Sequence, residues 1–351
     1  MSPEDQQVNS PSKPDTLSVK KIILLVALLF AVGFATLLFS HFNAKEPMYQ
    51  VASFQESSGL IYLTLPISPS DPSKRNIFTY NTETFDFLPV KGGPYFRYTG
   101  TVSPSGDKLA YLSKQVATTT VDTIPLYITV TSNFKSDDWG DTHWGKPQTL
   151  VGSRLPSWSP NEQELLYSGW LPDGQATDPA DWRVARFEVG SGDLSDIVGI
   201  GAYPVWSPDG RSAVVLGQGG LRLIDLSQLL DEGELVLPLT LGPVGIATKF
   251  SFSKDKSKLA VSEPYLNKVT LYDVQWGPFK ATETKVIKND ENTQSFWPVF
   301  SPDNQYLAVY EVKNEGLEAA LVVYDLFGMQ KKQVLDLQSY DLNAVSVTDW
   351  R

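Results

Sequence analysis

The chain contains few histidines and no cysteine, two residue types on which many enzyme active sites depend. Its 351 residues include two histidines and no cysteine. Without cysteine there are no disulfides, thiolate nucleophiles or Cys-ligated metal sites. A Ser-His-Asp triad or a multi-histidine metal centre would depend on His41 or His143, and His41 directly follows a long apolar run. We therefore expect no catalytic residue, no cofactor and no bound metal.

One acidic segment, residues 132–146, nevertheless has residue types that could hold a cation. Carboxylates within five residues of each other can share one ion. The candidate ligands are Asp137, Asp138, Asp141 and His143. Their spacing matches no calcium-binding loop, so a solvated acidic turn is the preferred interpretation. Trp139 and Trp144 in the same segment favour contact with a partner over a metal site, because aromatic residues are enriched at interfaces.

A second candidate binding segment lies between two tryptophans. Trp170 and Trp182 flank a run that contains Asp173, Asp178 and Asp181. Binding residues often lie on loops that a rigid scaffold positions. We expect this loop to bind a protein, a peptide or a glycan; the alternative is a tolerated surface insertion without a function.

The elements that must position these residues are repeats. The phrase Pro-Val-Trp-Ser-Pro-Asp-Gly at residues 204–210 recurs in degenerate form, and each copy is followed by a short alternating apolar run. We call the serine of each copy the turn serine; these are Ser103, Ser159, Ser207, Ser253 and Ser301, at spacings of 56, 48, 46 and 48 residues. Strand-rich repeats with periods in the forties are typical of propeller blades.

The runs after each turn favour strands. Segments such as residues 258–262 and 306–310 alternate with period two and are rich in strand-forming residues. A Ser-Pro pair can also begin a helix, but these runs are too short for that alternative. The recurrent aromatic residue before the turn is expected to pack between blades: Trp158, Trp206, Phe252, Phe300 and Trp350. Asp225, Asp273 and Asp325 end third strands, where we expect them to cap turns.

The chain ends predict how the repeat array closes. Residues 59–63 resemble a second strand that lacks its first, and residues 344–350 resemble an isolated first strand. Pairing between them would close the ring and cover the exposed sheet edges. We therefore predict an all-β, six-bladed propeller over residues 59–351, with blades beginning near residues 59, 95, 155, 203, 247 and 296.

The loops that join second to third strands differ in length around the predicted ring. They are long in the first three blades (66–75, 114–123 and 171–181) and short in the last three (217–220, 264–267 and 313–318). The long loops contain the Trp170–Trp182 segment, and all of these loops open on one face. We expect that face to be the recognition surface.

An apolar segment precedes the repeats. Residues 22–44 carry no charge, which is long enough for a helix to cross a bilayer. A cleaved signal peptide is the alternative, but the run exceeds the usual apolar core and lacks a good cleavage site. Lys13, Lys20 and Lys21 precede it, so the positive-inside rule places the disordered tail, residues 1–21, in the cytoplasm. Residues 45–58 are expected to be a linker, and the propeller would lie outside the cell membrane.

The charge distribution restricts the class of partner. The net charge is −11 at pH 7, while residues 1–21 sum to zero because three lysines balance Glu4, Asp5 and Asp15. The predicted exported part is therefore strongly acidic, which argues against nucleic acid as a partner.

The five turns, each followed by a Leu-Ala-Tyr or Leu-Ala-Val type of strand, resemble the WD-like repeats of the TolB family of six-bladed propellers. The resemblance covers roughly residues 50–351. It implies a recognition scaffold, since such propellers are protein-binding modules of bacterial envelopes and also precede prolyl-oligopeptidase-type peptidase domains. No Gly-x-Ser-x-Gly elbow occurs in the sequence, which argues against the peptidase branch. The residues before the repeats do not resemble the separate N-terminal domain of TolB, so we do not expect the partners of TolB to carry over to this chain.

Two functional hypotheses follow. The first is a non-enzymatic binding or assembly module of the cell envelope, anchored by a single-pass transmembrane helix, whose partner is an extracytoplasmic protein, peptide or glycan. The alternative is an envelope enzyme of the glycan or lactone hydrolase type, with carboxylates and a metal ion in the central channel.

Overall fold

A computed structural model describes residues 59–68, 71–90, 96–114, 127–132, 142–144, 151–170, 178–189, 194–241, 247–337 and 345–351. The predicted tail, span and linker, residues 1–58, lie outside these ranges. None of the helical segments in the described ranges is long and apolar enough to cross a bilayer.

The described residues form strands joined by turns. The first twelve strands are β1 Leu60–Ser68, β2 Asp71–Asn81, β3 Phe87–Pro89, β4 Phe96–Val102, β5 Lys108–Lys114, β6 Tyr127–Ser132, β7 Thr142–Trp144, β8 Val151–Trp158, β9 Glu164–Trp170, β10 Trp182–Glu188, β11 Leu194–Ile200 and β12 Ala202–Trp206. The other twelve are β13 Ser212–Gly217, β14 Gly220–Asp225, β15 Glu234–Pro238, β16 Lys249–Phe252, β17 Lys258–Glu263, β18 Lys268–Trp276, β19 Phe279–Lys288, β20 Thr293–Phe300, β21 Tyr306–Lys313, β22 Glu318–Asp325, β23 Lys331–Asp336 and β24 Ser346–Trp350. Short 3-10 turns occupy Pro179–Asp181, Pro264–Leu266 and Asn314–Gly316.

The strands pair into six four-stranded antiparallel sheets, and the fold is a β-propeller. Five sheets are consecutive in sequence: β4–β7, β8–β11, β12–β15, β16–β19 and β20–β23. The remaining sheet has the order β24-β1-β2-β3. We number this sheet 1 and the others 2 to 6 in chain order. We call the first strand of each sheet, or β24 in sheet 1, the inner strand.

The pairing of β24 with β1 confirms the prediction that the C-terminal strand joins the first sheet. Val347 lies opposite Leu63, and Trp350 lies opposite Ile61. Beyond the strand, the backbone N–H of Arg351 donates to the carbonyl of Leu60 over 2.9 Å. The two segments are almost 300 residues apart in sequence, so this pairing depends on the tertiary fold and not on local propensity.

The turn serines organise the connection from the first to the second strand of a sheet. The hydroxyl of Ser253 donates to Asp255 over 2.6 Å and accepts the backbone N–H of Lys258 over 2.9 Å. Ser207 makes the same two bonds with Asp209 and Ser212. These serines are buried, so their hydroxyl groups need internal partners. The recurrence of Ser and Asp is thus structural.

The recurrent aromatic residues join neighbouring sheets, as predicted. The indole N–H of Trp158 donates to the carbonyl of Thr101 in sheet 2, and that of Trp206 donates to the carbonyl of Ser157 in sheet 3. Phe300 of sheet 6 packs against sheet 5 residues that include Ala260. These residues therefore cover apolar surface, and the indole N–H groups of Trp158 and Trp206 also find acceptors. Trp350 differs, because its buried Nε1 has no hydrogen-bond partner among the described residues.

Two of the three aspartates at the ends of third strands cap the following turn, as predicted. Asp225 accepts the backbone N–H of Ser227, and Asp325 accepts that of Phe327, each in the turn that follows the strand. Asp273 instead forms an ion pair with Lys258 at 3.1 Å, because β18 continues to Trp276 and no turn begins after it.

One predicted long loop is wrong. Residues 66–75, which contain several prolines and serines, were predicted to be a long loop between the second and third strands of the first blade. In the structure β1 and β2 continue as a hairpin, with Pro66 opposite Arg75 and Ser68 opposite Asp71. The backbone pairing of a hairpin tolerates proline where its missing N–H is not needed.

Candidate functional site

A cavity of about 420 Å³ lies where the inner strands of the sheets converge, and we call it the central cavity. Residues of all six inner strands line it, at the ends that lead into the turns. Its volume falls in the roughly 300–1,000 Å³ range of small-molecule pockets. No single sheet could form this site, because each contributes only a few side chains.

Repeat-equivalent residues form one layer of the wall. The residues two positions before the turn serine all line the central cavity: Thr101, Ser157, Val205, Ser251, Val299 and, in β24, Asp349. Five of them are small or β-branched and uncharged, which leaves room at the axis. Asp349 is the exception and introduces a carboxylate. The hydroxyl of Ser251 is buried and has no hydrogen-bond partner among the described residues.

Asp349 is paired with a cation on the same strand end. The guanidinium Nε of Arg351 lies 2.8 Å from Asp349 Oδ2, and both side chains are largely buried. Arg351 Nη2 donates to the carbonyl of Val102 over 3.2 Å. Within the described part of the chain, Nη1 of this guanidinium has no acceptor, and Arg351 is one of the residues that line the cavity.

A second cation comes from a turn. Lys256 lies three residues after its turn serine, at a position where the backbone has φ of 59°. The equivalent residues in two other turns are Gly106 and Gly210, as expected for a left-handed conformation. Lys256 also lines the cavity. Its ammonium lies 5.7 Å from the ring centre of Phe252, and among the described residues no acceptor binds it.

The environment of Lys256 disfavours its charge. Burial and, to a smaller extent, the positive charge of Arg351 lower the pKa of Lys256 to about 8, although Asp349 acts in the opposite direction. An amine that is not fully stabilised by the protein gains more from an incoming anion than a solvated lysine does. The charged side chains of the cavity wall are Lys254, Asp255, Lys256, Asp349 and Arg351, which carry one net positive charge.

Asp255 is not available as a catalytic carboxylate in this geometry. Burial alone would raise its pKa, but hydrogen bonds from Ser253 and Ser257 dominate and lower the pKa of Asp255 to about 2. Asp349 has Arg351 as its partner. Both carboxylates of the cavity wall are therefore held by internal partners.

A buried lysine lies on the inner strand of sheet 5, four residues before the turn serine. Lys249 donates a hydrogen bond of 2.8 Å to the hydroxyl of Tyr203, and its ammonium lies 4.8 Å from the ring centre of Trp297. Tyr203, Lys249 and Trp297 all stand four residues before a turn serine, in sheets 4, 5 and 6. We call these three residues the Lys249 cluster. Tyr203 also lines the cavity, so the cluster forms part of its wall.

The predicted pair Trp170 and Trp182 connects to this cluster. The two residues lie opposite each other in β9 and β10, with ring centres 5.2 Å apart. Trp182 is fully buried, and its ring centre lies 5.8 Å from that of Tyr203. Trp182 therefore packs inside the protein, while Trp170 is partly exposed.

The other residues of the predicted binding segment are only partly described. Asp178 is exposed and accepts the backbone N–H of Ala180 over 2.9 Å, at the 3-10 turn that ends with Asp181. Asp173 lies outside the described residues. A contact between this segment and a partner stays a prediction.

The acidic segment of sheet 2 is also only partly described, and its contact with a partner also stays a prediction. Trp139, Asp137, Asp138 and Asp141 lie outside the described residues. His143 and Trp144 belong to β7, which pairs with β6. In the ranges that the structure describes, no three His, Asp or Glu side chains are close enough to hold a metal ion.

The sequence analysis missed Lys256, Arg351 and Lys249. A signal for each is present in the aligned repeats. Lys256 stands where two other turns have glycine, Arg351 stands where the other repeats have the turn serine, and Lys249 stands between two aromatic residues of neighbouring repeats. The signal was a charged residue at a repeat position where the other repeats have serine, glycine or an apolar residue. Such a residue indicates a role beyond the fold.

Comparison with known proteins supports the fold. No family model matches the chain, and no curated protein matches it. Among solved structures, TolB from Acinetobacter baumannii is 17% identical with a TM-score of 0.56, over 84% of this chain and 67% of that chain. A putative TolB from Agrobacterium tumefaciens is 14% identical with a TM-score of 0.50, over 81% of this chain and 90% of that one.

A structure described as an enzyme is comparably similar. A putative 6-phosphogluconolactonase from Bacteroides uniformis is 13% identical with a TM-score of 0.50, over 78% of this chain and 81% of that chain. At these identities the similarity establishes the propeller fold and leaves the function to be argued from the site.

Proposed function

We propose that this chain is a non-enzymatic binding module of the cell envelope and that its central cavity binds a segment of a partner protein. In this proposal each of the six sheets is one blade of a closed ring. Residues 22–44 form a transmembrane anchor, and the propeller lies outside the cytoplasmic membrane.

The observation that carries the proposal is the composition of the cavity wall. All six inner strands contribute to it, and its charged side chains stand among aromatic and proline residues such as Phe252, Phe300 and Pro208. Apolar and aromatic walls with a few polar or charged groups are typical of ligand pockets, and aromatic residues and arginine are enriched at protein interfaces. The shared fold with two TolB structures supports a module of this kind.

Photo-crosslinking in intact cells tests the proposal. Lys254 is exposed and lines the cavity, so a photoreactive amino acid at this position would lie next to a bound partner. We expect a discrete adduct after irradiation. The matched control is the same amino acid at Phe327, which is 98% exposed on an outer turn. Equal adducts at both positions, or none at position 254, would contradict the proposal.

The proposed anchor has an independent test. A transmembrane helix resists extraction by alkaline carbonate, and the tail would be accessible only from the cytoplasmic side. We expect the chain to stay in the membrane pellet and an epitope at residue 3 to be protected in intact cells. Release by carbonate would remove the anchor from the proposal and leave the cavity unaffected.

A second site belongs to the same proposal. The segment with Trp170, Asp178 and Asp181 lies at the ends of β9 and β10 that are opposite to the turns, so it would contact a different part of a partner. Deletion of residues 172–180 tests this role. We expect fewer crosslinked partners at an unchanged melting temperature, and an unchanged set of partners would remove the segment from the site.

The alternative function is an envelope hydrolase that uses a cavity carboxylate and a metal ion. Asp349 favours this alternative, because it is the carboxylate in the layer of the wall formed by the residues two positions before the turn serines. Metal analysis of the purified chain and melting in calcium or a chelator discriminate the two functions. A stoichiometric metal with a calcium-dependent rise in melting temperature would favour the enzyme.

A further inference from the structure

We propose that the central cavity recognises a carboxylate attached to an apolar group and that Lys256 and Arg351 hold its oxygens. This inference rests on the proposed binding function and specifies the chemistry of the bound segment. Lys256 and Arg351 would act together in holding the carboxylate, a role that the repeat pattern gives to neither residue.

Available donors are the first argument. The ammonium of Lys256 has no acceptor among the described residues. Arg351 uses Nε for Asp349 and Nη2 for Val102, which leaves Nη1. Both side chains line one cavity. Both side chains are half-buried, and an anionic ligand that accepts from these donors forms charge-assisted hydrogen bonds, which are stronger than neutral ones.

Charge balance is the second argument, and it favours a monoanion. Other charged side chains that line the cavity with Lys256 come from two elements: Lys254 and Asp255 from its own turn, and Asp349 and Arg351 from the end of β24. Together with Lys256 these side chains sum to one net positive charge; the main-chain carboxyl group of Arg351, an oxygen of which accepts the backbone N–H of Leu60, is outside this sum. A monoanion therefore brings less negative charge next to Asp349 than a phosphate dianion does.

The apolar wall is the third argument. Phe252 and Phe300 line the cavity together with a series of prolines: Pro104, Pro156, Pro160, Pro204 and Pro208. Such rigid apolar surface binds an aliphatic or aromatic group at a low entropic cost. The C-terminal residue of a polypeptide offers the required combination of a carboxylate and an apolar side chain, and so does an acidic side chain within an apolar segment.

Titration with matched peptides tests the inference on the full chain in non-ionic detergent. The probes are acetyl-Gly-Phe-Leu with a free C-terminal carboxylate, the same peptide as its C-terminal amide, acetyl-Gly-Phe-Asp-Leu amide, and inorganic phosphate. We expect the free-acid peptide to bind and the first amide to bind about tenfold to a hundredfold more weakly, the factor for one charge-assisted hydrogen bond. Binding of the Asp-containing amide would identify a side-chain carboxylate as the source.

Variants locate the contact. Lys256→Met should weaken binding of the free-acid peptide about tenfold or more, and Lys256→Arg should retain most of it because the charge and the donors remain. The control is Lys280→Met, which removes a charge from the exposed outer strand of the same sheet. A second readout on the wild-type chain is the NMR titration of the Lys256 ammonium, whose pKa should rise when the carboxylate binds.

The outcomes separate the inference from the proposed function. Equal binding of acid and amide peptides, tighter binding of phosphate, or an unchanged Lys256 titration would overturn the carboxylate site. An adduct at position 254 in cells would still support the binding function in that case. Conversely, specific peptide binding without any cellular adduct would support the site and contradict the proposed partner.

Discussion

The ammonium of Lys249 lies 4.2 Å from the ring centre of Tyr203 and donates a hydrogen bond of 2.8 Å to the hydroxyl of the same residue. Tyr203 and Trp297 both have positive φ, 56° and 53°, which is uncommon for a bulky residue before proline. Each stands at an irregularity of its inner strand. The contacts with Lys249 offset this strain, so the Lys249 cluster fixes three neighbouring sheets at the wall of the cavity.

The Tyr203 hydroxyl provides the first prediction. Tyr203→Phe keeps the ring and removes the acceptor of the Lys249 ammonium, so the free energy of unfolding should fall by about 1–3 kcal/mol, the range for hydrogen bonds to charged groups. Urea unfolding of the full chain measures it. In the Lys249→Met background the same substitution should cost much less. An equal cost in both backgrounds would show that the bond does not stabilise the fold.

The closing strand provides the second prediction. Val347 is 2% exposed and pairs with Leu63, so Val347→Asp would bury an unpaired charge and should destabilise the fold by about 3 kcal/mol or more. Leu317→Asp is the matched control at a side chain that is 79% exposed, and its effect should stay within about 0.5 kcal/mol. Thermal unfolding compares the two. Similar melting temperatures would mean that β24 does not close the first sheet.

The turn aspartate provides a prediction about acid stability. The folded pKa of Asp255 is lowered from 3.8 to about 2, so its stabilising contribution is complete above pH 4 and disappears as the pH falls to 2. Because Asp255 is exposed, we expect at most about 1 kcal/mol. Asp255→Asn should therefore flatten the decline in stability between pH 4 and 2. A decline of unchanged steepness would assign it to other carboxylates.

Lys256 provides a prediction of opposite sign. Its folded pKa is lowered from 10.5 to about 8, so the unfolded state binds more protons between these values and stability rises with pH there. Lys256→Met should stabilise the chain at pH 7 by about 1–3 kcal/mol, since one pKa unit corresponds to about 1.4 kcal/mol. The difference should shrink above pH 10.5. A Met variant that is less stable at pH 7 would show that the ammonium has a partner in the fold.

A residue that lowers stability at a cavity is typical of functional sites. The stability measurement on Lys256→Met and the peptide titration therefore both test whether Lys256 serves binding at the expense of stability. We expect Lys256→Met to be more stable than the wild type and to bind the free-acid peptide more weakly.

The repeat pattern predicted the part of the fold that depends on local chemistry. Turn serines such as Ser207 need an acceptor and a donor within the same turn, so their residue types recur and are visible in the sequence. Trp206 recurs because its indole must fill space between two sheets and reach a carbonyl. The partnership of β24 and β1 was predictable because the two chain ends together make one complete repeat.

The central cavity could not be predicted in the same way. Lys256 and Arg351 are 95 residues apart, and their common location follows from closure of the sheets around an axis and not from spacing along the chain. The burial of Trp182 was missed for a related reason, since its neighbour Tyr203 belongs to the next sheet. The residues 66–75 were misassigned because proline and serine indicate loops locally, whereas the pairing of β1 with β2 overrides that preference.

Whether the central cavity binds the partner through Lys256 is tested most directly by the affinity of the captured partner for matched variants. Once crosslinking has identified the partner, titration calorimetry can compare the wild-type chain with Lys256→Met and with Phe327→Ser, which alters an exposed outer turn. We expect Lys256→Met to bind about tenfold more weakly or worse and Phe327→Ser to bind like the wild type. Unchanged binding by Lys256→Met, together with a loss in Phe327→Ser, would place the partner on the outer surface and contradict binding in the central cavity.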